Sequence, residues 1–358
     1  MLTTLRARSS PLYQLLGDLH PFEFEVPDHF PIRESVLAIR ASLKGRRLRQ
    51  GEYVRLKAKS VGGTLLVTPI DNYDFLGRIS AVKNGIRTIA IQNGTRTADD
   101  WNRAASSLAR DEPLHDVFLC WGRNDVKNLE DLGIRATSVI PIGSLKDSLH
   151  RERGHSADQS REISAVFIKS ALVTGQSTRG AEIQILPNLK LLRYLDKYSS
   201  MRGVRIRYVP YYDSKAGYEE VRSFLGKNLS STFELSVCQR GWSTSYDEVM
   251  SSHVVVGSNS SMLVEAFGRG KRILAVNMSQ FAWRDFPVSG VWSLRLPTFD
   301  EFAERLDLIR NMSEAMWKQQ VADLPSWLVA YDTNNPTHVV VNRTIRKLLR
   351  EVDAISIS

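Results

Sequence analysis

The chain predicts an α/β fold built as two parallel sheets, each covered by helices on both faces, and three observations lead there. Short apolar strands rich in Val, Ile and Leu alternate with helical segments along most of the sequence, the pattern of parallel strands buried on both sides. The alternation falls into two blocks separated by one polar, aperiodic stretch, 150–161 (HRERGHSADQSR). With 358 residues, the chain is also long enough for two domains of roughly 150 residues each.

The elements follow in order. The first thirty residues, rich in Pro and aromatics, read as a short helix and an irregular lead-in, with a helix near 33–43. Thr64–Ile70 (TLLVTPI) reads as a buried strand running into Asp71-Asn72-Tyr73, and 75–83 has helical spacing up to Asn84-Gly85. The unit then repeats: strand 87–92 ending in Asn93-Gly94, helix 98–109, strand 116–120 closing on Trp121-Gly122, helix 124–132, and strand 137–142 stopping at Gly143-Ser144. After the polar stretch come strand 163–168, helix 181–198, strand 204–209, helix 217–225, strand 233–238 and a short helix 246–250. A helix over 298–312 and an amphipathic terminal helix over 336–352, basic on its outer face, complete the reading. This divides the chain into an N-terminal domain (1–149), a linker (150–161), a second domain (162–335) and a C-terminal helix (336–358) that packs back on the first domain.

Composition narrows the class. Cys120 and Cys238 lie far apart beside apolar runs, so buried thiols in a reducing cytoplasm are expected rather than a disulfide. No run of about 18 uninterrupted apolar residues suits a membrane span, and MLTTLRARSSPLYQLL lacks the apolar centre of a signal peptide. The formal charge of +9 is concentrated between Arg40 and Lys59, where eight of twenty residues are basic. Such a segment fits an anionic membrane surface, a phosphorylated substrate or a solvated face. Nucleic acid is not expected as a partner, because no RNP, zinc-finger or helix-turn-helix pattern accompanies the charge.

The most informative stretch is His253–Asn277, HVVVGSNSSMLVEAFGRGKRILAVN. An apolar β-branched run ends at Gly257, Ser258-Asn259-Ser260-Ser261 opens a helix carrying Glu265, Gly270 closes it, and a second apolar run follows. One βαβ unit of this kind places backbone N–H groups and hydroxyls at the carboxyl edge of a parallel sheet, where a phosphate or ribose binds. A helix start needs only one capping residue, and four polar residues in succession exceed that need. Glu265 shares a face with Ser261 by i,i+4 geometry and can accept from ribose hydroxyls; an exposed helix glutamate is the plain alternative.

Two βα-alternating halves around a linker resemble the GT-B glycosyltransferases. That resemblance implies two Rossmann-like domains with an interdomain cleft. Its most specific part is VVVGSNSSMLVEAFGRGKRIL, similar to the donor-binding element of the C-terminal half. The succession IAIQNGTR, FLCWGRNDVKNLEDLGI and VIPIGSLKDSL is similar to the N-terminal domain and linker of bacterial surface-carbohydrate transferases, a group that includes capsule, Kdo, sialic-acid and CDP-glycerol transferases. The resemblance implies that Glu265 faces the nucleotide and that Gly143-Ser144 makes a close backbone approach at the hinge; a plain turn is the alternative for the latter pair. Tyr208–Asp213 (YVPYYD) occupies the place of a Lys-Pro-His-Pro-like strand end and lacks its histidine.

The remaining candidates are read from position. Lys169, Ser170 and Arg179 flank a Gly- and hydroxyl-rich loop at a helix entrance that suits a phosphate, or is simply mobile. Asp71, after the first buried strand of the N-terminal half, is the candidate general base or nucleophile, or else an Asx cap. Asn72, Gln92, Asn93 and Gly94 are expected to line the same cleft, unless they serve only as turns. No HExxH, CxxC or DxD spacing occurs, so no metal and no cofactor is expected. The expected function is metal-independent transfer of a sugar, a CMP-linked acidic sugar favoured, from a nucleotide-sugar donor to a glycan or lipid-linked acceptor. The site of action is cytoplasmic or peripheral at the inner face of the membrane. A UDP-sugar epimerase, a CDP-glycerol-type glycerophosphotransferase and an inactive scaffold are the alternatives.

Overall fold

A computed structural model of the chain describes residues 2–3, 15, 22–23, 62–70, 86–97, 100–101, 115–134, 138–154, 163–168, 185–211, 215–230, 234–235, 242–258 and 260–357. The chain divides into two compact units: Met1–Leu149 together with Val329–Ser358, and His150–Leu328.

Among the described residues the first unit holds six strands, β1 (Leu2–Thr3), β2 (Phe22–Glu23), β3 (Leu65–Ile70), β4 (Arg87–Gln92), β5 (Val117–Cys120) and β6 (Ser138–Pro141). They lie in the order β2-β1-β3-β4-β5-β6, and every described pairing is parallel. Alternation along the strands sorts the core into two layers. Leu65, Val67, Ile89, Ile91 and Leu119 face one side, where Val341, Ile345 and Leu348 of the C-terminal helix (Thr337–Ile357) cover them. Ala90, Phe118 and Cys120 face the other side, against Trp101, Leu129 and Ile134. Leu129 belongs to α1 (Arg123–Asp131), while α2 (Leu145–Glu152) adds Leu145 to the first layer. Helix α2 runs into the segment read as a linker, ending at Glu152.

The second unit holds β7 (Ile163–Ile168), β8 (Ile206–Tyr211), β9 (Glu234–Leu235), β10 (Val254–Gly257), β11 (Arg272–Asn277) and β12 (Ser293–Arg295). Read from one edge, the order is β9-β8-β7-β10-β11-β12, again with every described pairing parallel. This is the doubly wound order in which the first strand is central and the winding reverses beside it, between β7 and β10. The helices are α3 (Leu186–Arg202), α4 (Lys215–Asn228), α5 (Trp242–Ser251), α6 (Ser261–Gly268), α7 (Phe299–Asn311), α8 (Glu314–Val321) and α9 (Leu324–Leu328). Local signals explain several ends. Gly203 closes α3 in the left-handed region, and Thr298 with Glu301 forms a complete capping box on α7.

Differences from the sequence-based expectation are mostly short elements. Strand β12, helices α8 and α9, and the two-residue strands β1 and β2 were not expected, because these segments hold no apolar run long enough to stand out. The helices expected near 33–43 and 75–83 lie outside the described residues. Among the described residues, no helix is long and apolar enough to cross a membrane.

One close approach ties the returning C-terminal segment to the first sheet. The Trp121 carbonyl, just past β5, accepts from both Gly143 N (3.0 Å) and Ala330 N (2.8 Å), and the Thr337 hydroxyl donates to the Ile142 carbonyl. Gly143 has φ +88°, and a Cβ built on it would lie 1.9 Å from the Ala330 carbonyl oxygen. Only glycine satisfies both the backbone angle and the space. Gly143→Ala is therefore expected to destabilise the protein by about 3 kcal/mol or more, read as a lowered melting temperature. A variant that melts with the wild type would show that this approach is not required.

Candidate functional site

In the second unit the winding reversal puts the carboxyl ends of β7 and β10 side by side. Gly257 pairs with Val166 in register, and a Cβ at Gly257 would lie 2.7 Å from a Val166 methyl group and 2.8 Å from its carbonyl oxygen. The glycine lets the two strand ends close up. Two segments are thereby brought to one place: the turn Ser258–Ser260 leading into α6, and the start of α3. The Ser258 hydroxyl donates to Asn188 Oδ1 at 2.8 Å, tying that turn to the first turn of α3. Asn188 is buried, and sequence reasoning passed over it. A polar residue in an otherwise apolar first turn (LPNL) was the available signal.

Ser260 is the N-cap residue of α6 in position and in its extended backbone, yet its side chain makes no capping hydrogen bond. Capping therefore does not occupy its hydroxyl. Glu265, one turn further along, is 3% exposed, so the alternative of an exposed helix glutamate does not hold. The next strand end is equally organised. The buried Asn277 side chain donates to the Phe281 carbonyl (2.9 Å) and to Asp285 Oδ1 (2.6 Å), and its Oδ1 accepts from the Ser279 N–H (2.9 Å) and hydroxyl (2.6 Å). Two neighbouring strand ends thus finish in turns rich in hydroxyls and amides. With the first-turn N–H groups of α6, they suit a phosphate and its ribose. Asn259, Lys169, Ser170 and Arg179 lie outside the described residues.

In the first unit the corresponding reversal lies between β1 and β3, and β3 ends at Ile70. Asp71 and Asn72 come next in the sequence and lie outside the described residues. Gln92 is 2% exposed and knits two strand ends together. Its Nε2 donates to the Gly94 carbonyl at 2.9 Å, its Oε1 accepts from Trp121 N at 3.0 Å, and its carbonyl accepts from the Trp121 indole at 3.0 Å. Gly94 is buried and Asn93 half-buried. Ser144 is buried and its Oγ accepts from Asp147 N at 3.3 Å, closing the first turn of α2, while Gly143 is held against Ala330. Gln92, Gly143 and Ser144 therefore all have structural duties. His253, just before β10, lies against the Arg310 carbonyl (3.0 Å) and the Arg272 guanidinium, and burial lowers its pKa.

Asp125, in the first turn of α1, was not singled out in the sequence. Its carboxyl is 5% exposed and receives hydrogen bonds from the Gln92 side chain and from the main chain at Gly122 and Trp121. Burial outweighs these partners and pushes its pKa up to about 7. The neighbouring Cys120 is a free, buried thiol that burial also pushes up. Among the described residues, no three His, Cys, Asp or Glu side chains gather into a metal-ligating group.

Set against known structures, this architecture is that of the GT-B fold. The chain is similar to the Methanocaldococcus jannaschii UDP-GlcNAc 2-epimerase in complex with UDP-GlcNAc and UDP, with a TM-score of 0.58 and 10% identity, covering 97% of this chain and 98% of that one. It is similar to S. aureus MnaA with UDP, with a TM-score of 0.60 and 12% identity over 98% and 96% of the two chains. It is also similar to Glycyrrhiza uralensis UGT73P12 complexed with glycyrrhetinic acid 3-O-monoglucuronide, with a TM-score of 0.54 and 10% identity over 99% and 90%. At these identities the likeness defines the fold: two Rossmann-like α/β domains. Residues 89–344 match the profile of a family described as "putative O-antigen biosynthesis protein". The match spans most of the chain, which belongs to that family. No curated protein matches its sequence.

The raised pKa of Asp125 sets a direction for stability. A carboxyl held above its unfolded value favours the protonated folded state, so its contribution is complete below 3.8 and is lost as pH rises through about 7. Asp125→Asn, neutral throughout, should flatten that slope and at pH 8 be more stable than the wild type by an amount on the order of a few kcal/mol, seen as a higher melting temperature. Thermal unfolding of both proteins at pH 5 and pH 8 reads the difference. Parallel pH profiles would place the titrating group elsewhere.

Proposed function

We propose that this chain is a nucleotide-sugar enzyme of O-antigen synthesis, and specifically a glycosyltransferase whose second unit holds the donor. The observation that carries the reading is the β10–α6 turn. It lies at the winding reversal, where a parallel sheet offers its binding crevice, and it presents at Ser260 a hydroxyl that no cap uses. The donor phosphate meets the first-turn N–H groups of α6 together with the Ser260 and Ser261 hydroxyls. There the helix dipole and direct hydrogen bonds both favour negative charge. Glu265, buried one turn in, accepts from the ribose hydroxyls. Leaving-group charge is met by the same donors.

Transfer also needs a base to activate the acceptor hydroxyl, or a carboxylate nucleophile. We assign this to Asp71, which follows β3 at the reversal of the first sheet, the side we take to receive the glycan or lipid-linked acceptor. We place the site of action in a reducing cytoplasm, as the cysteine usage of the sequence suggests. A second reading, epimerisation of a UDP-sugar, draws support from the likeness to structures described as UDP-GlcNAc 2-epimerases. The two reactions differ in one requirement: epimerisation proceeds with the donor alone, whereas transfer needs an acceptor.

Thermal shifts with CMP, UDP, GDP and CDP are expected to single out one nucleotide, because a ligand of the native state raises apparent stability by mass action. The outcome separates the CMP-linked donor favoured by sequence from the UDP carried by the similar structures. Ser260→Ala and Glu265→Gln should each weaken that nucleotide by about ten-fold, the size of one lost hydrogen bond, with unfolding curves otherwise retained. Unchanged affinity in calorimetry would remove the donor-site assignment. Asp71→Asn should leave nucleotide affinity intact and stop turnover, and a turning-over variant would move the base elsewhere.

A further inference from the structure

The C-terminal helix has two faces, and the fold uses one. Val341, Ile345 and Leu348 point into the first unit's core. At about 100° per residue, Val339, Asn342, Arg343, Arg346 and Arg350 fall on the opposite side. There, with Leu15 as a wall, they line a groove of about 370 Å³. Arg343, Arg346 and Arg350 are exposed, and Val339 is 42% exposed. The partners of the two outer arginines are neutral and distant: Arg343 reaches the Asn335 amide oxygen at 3.4 Å and Arg350 the Arg346 carbonyl at 3.4 Å. Among the described residues no carboxylate pairs with either. The nearby Glu351 instead faces Lys347 at 3.8 Å. The amphipathic pattern of the sequence places basic residues on this outer face, and the donor site does not use them.

We propose that this groove docks the phosphate headgroup of an anionic phospholipid, so that the outer face of the C-terminal helix rests on a membrane surface. Charge complementarity comes first. Arg343 and Arg350 are about 10 Å apart along the helix, and planar guanidinium groups offer paired donors that match phosphate oxygens. The apolar walls distinguish a lipid from a free phosphate, because Leu15 and Val339 gain nothing from an inorganic ion but can cover the glycerol and upper acyl carbons behind a headgroup. The helix cannot embed itself as an interfacial helix does, since its own apolar stripe is already buried. The contact is therefore electrostatic, assisted by the overall charge of +9, and salt should weaken it. Among the described residues no Phe, Tyr or Trp lines the groove to offer a stacking platform, which disfavours single-stranded nucleic acid. This proposal stands whichever reaction the enzyme performs.

Flotation of the full chain with phosphatidylcholine vesicles, with and without phosphatidylglycerol, tests it. The wild type should float with the anionic vesicles and not the neutral ones, and lose them as sodium chloride is raised. The Arg343→Ala/Arg350→Ala variant should partition about 30-fold less, the change that about 2 kcal/mol produces when two surface arginines are removed. A Lys227→Ala/Lys318→Ala variant, with the same loss of charge from exposed sites of the second unit, should bind nearly as the wild type does. Circular dichroism checks that both variants fold. Absence of binding to anionic vesicles, or an equal loss in both variants, would overturn the proposal. So would stabilisation of the wild type, but not the arginine variant, by inorganic pyrophosphate when vesicles do not bind, since the ligand would then be a free phosphate.

Discussion

The parallel contact between β7 and β10 is the interaction on which the second unit depends. Parallel strands need crossovers, and the direction of winding changes where the chain returns to the far side of its first strand. Because Gly257 has no side chain, β10 can close on Val166. The polar turn after it is carried to the sheet edge and meets the start of α3 through the Ser258–Asn188 hydrogen bond. A bulkier residue at Gly257 would push the two strand ends apart and disperse the turn, the helix start and the Asn277 loop. The placing of this turn therefore rests on a packing requirement one residue upstream of it.

The first unit is held by a different device. Its sheet is covered on one side by a helix from the far end of the chain, whose Val341, Ile345 and Leu348 complete the layer begun by Leu65, Val67 and Ile89. The Trp121 carbonyl serves both the end of β6 and the returning segment at Ala330, and Gln92 locks the ends of β4 and β5 from inside. At this edge the Gln92 side chain, the Ser144 hydroxyl and the Trp121 carbonyl all find their partners within the protein. Asp125 departs from the pattern: it is well supplied with hydrogen bonds but too deeply buried to keep an ordinary carboxylate pKa.

Much of the architecture was legible because buried parallel strands announce themselves as unbroken apolar runs. Strands β4 and β7 lie where the runs RTIAIQ and ISAVFI end on either side, and the β10–α6–β11 unit coincides with His253–Asn277. Strand β12 and helices α8 and α9 were not legible, since SLR, EAMWKQQV and LPSWL hold no apolar run long enough to stand out and no turn signal like the one that marks α6. Gln92 and Ser144 show a second limit. Polar residues at strand ends look alike in sequence whether they face a ligand or satisfy their own backbone, and only their partners distinguish the two.

Residue order alone was sufficient for the alternation of strands and helices, the parallel character of both sheets and the polar turn after β10. Each of these comes from local periodicity and from the few residues that can start or stop a helix. Strand order, the closing of β10 on Val166, the joining of Ser258 to Asn188, the return of the last helix to the first sheet and the burial of Asp125 and Glu265 came only with the folded chain. Those features join residues far apart in sequence, and their energies depend on desolvation and distance, which no stretch of sequence carries until the chain has packed.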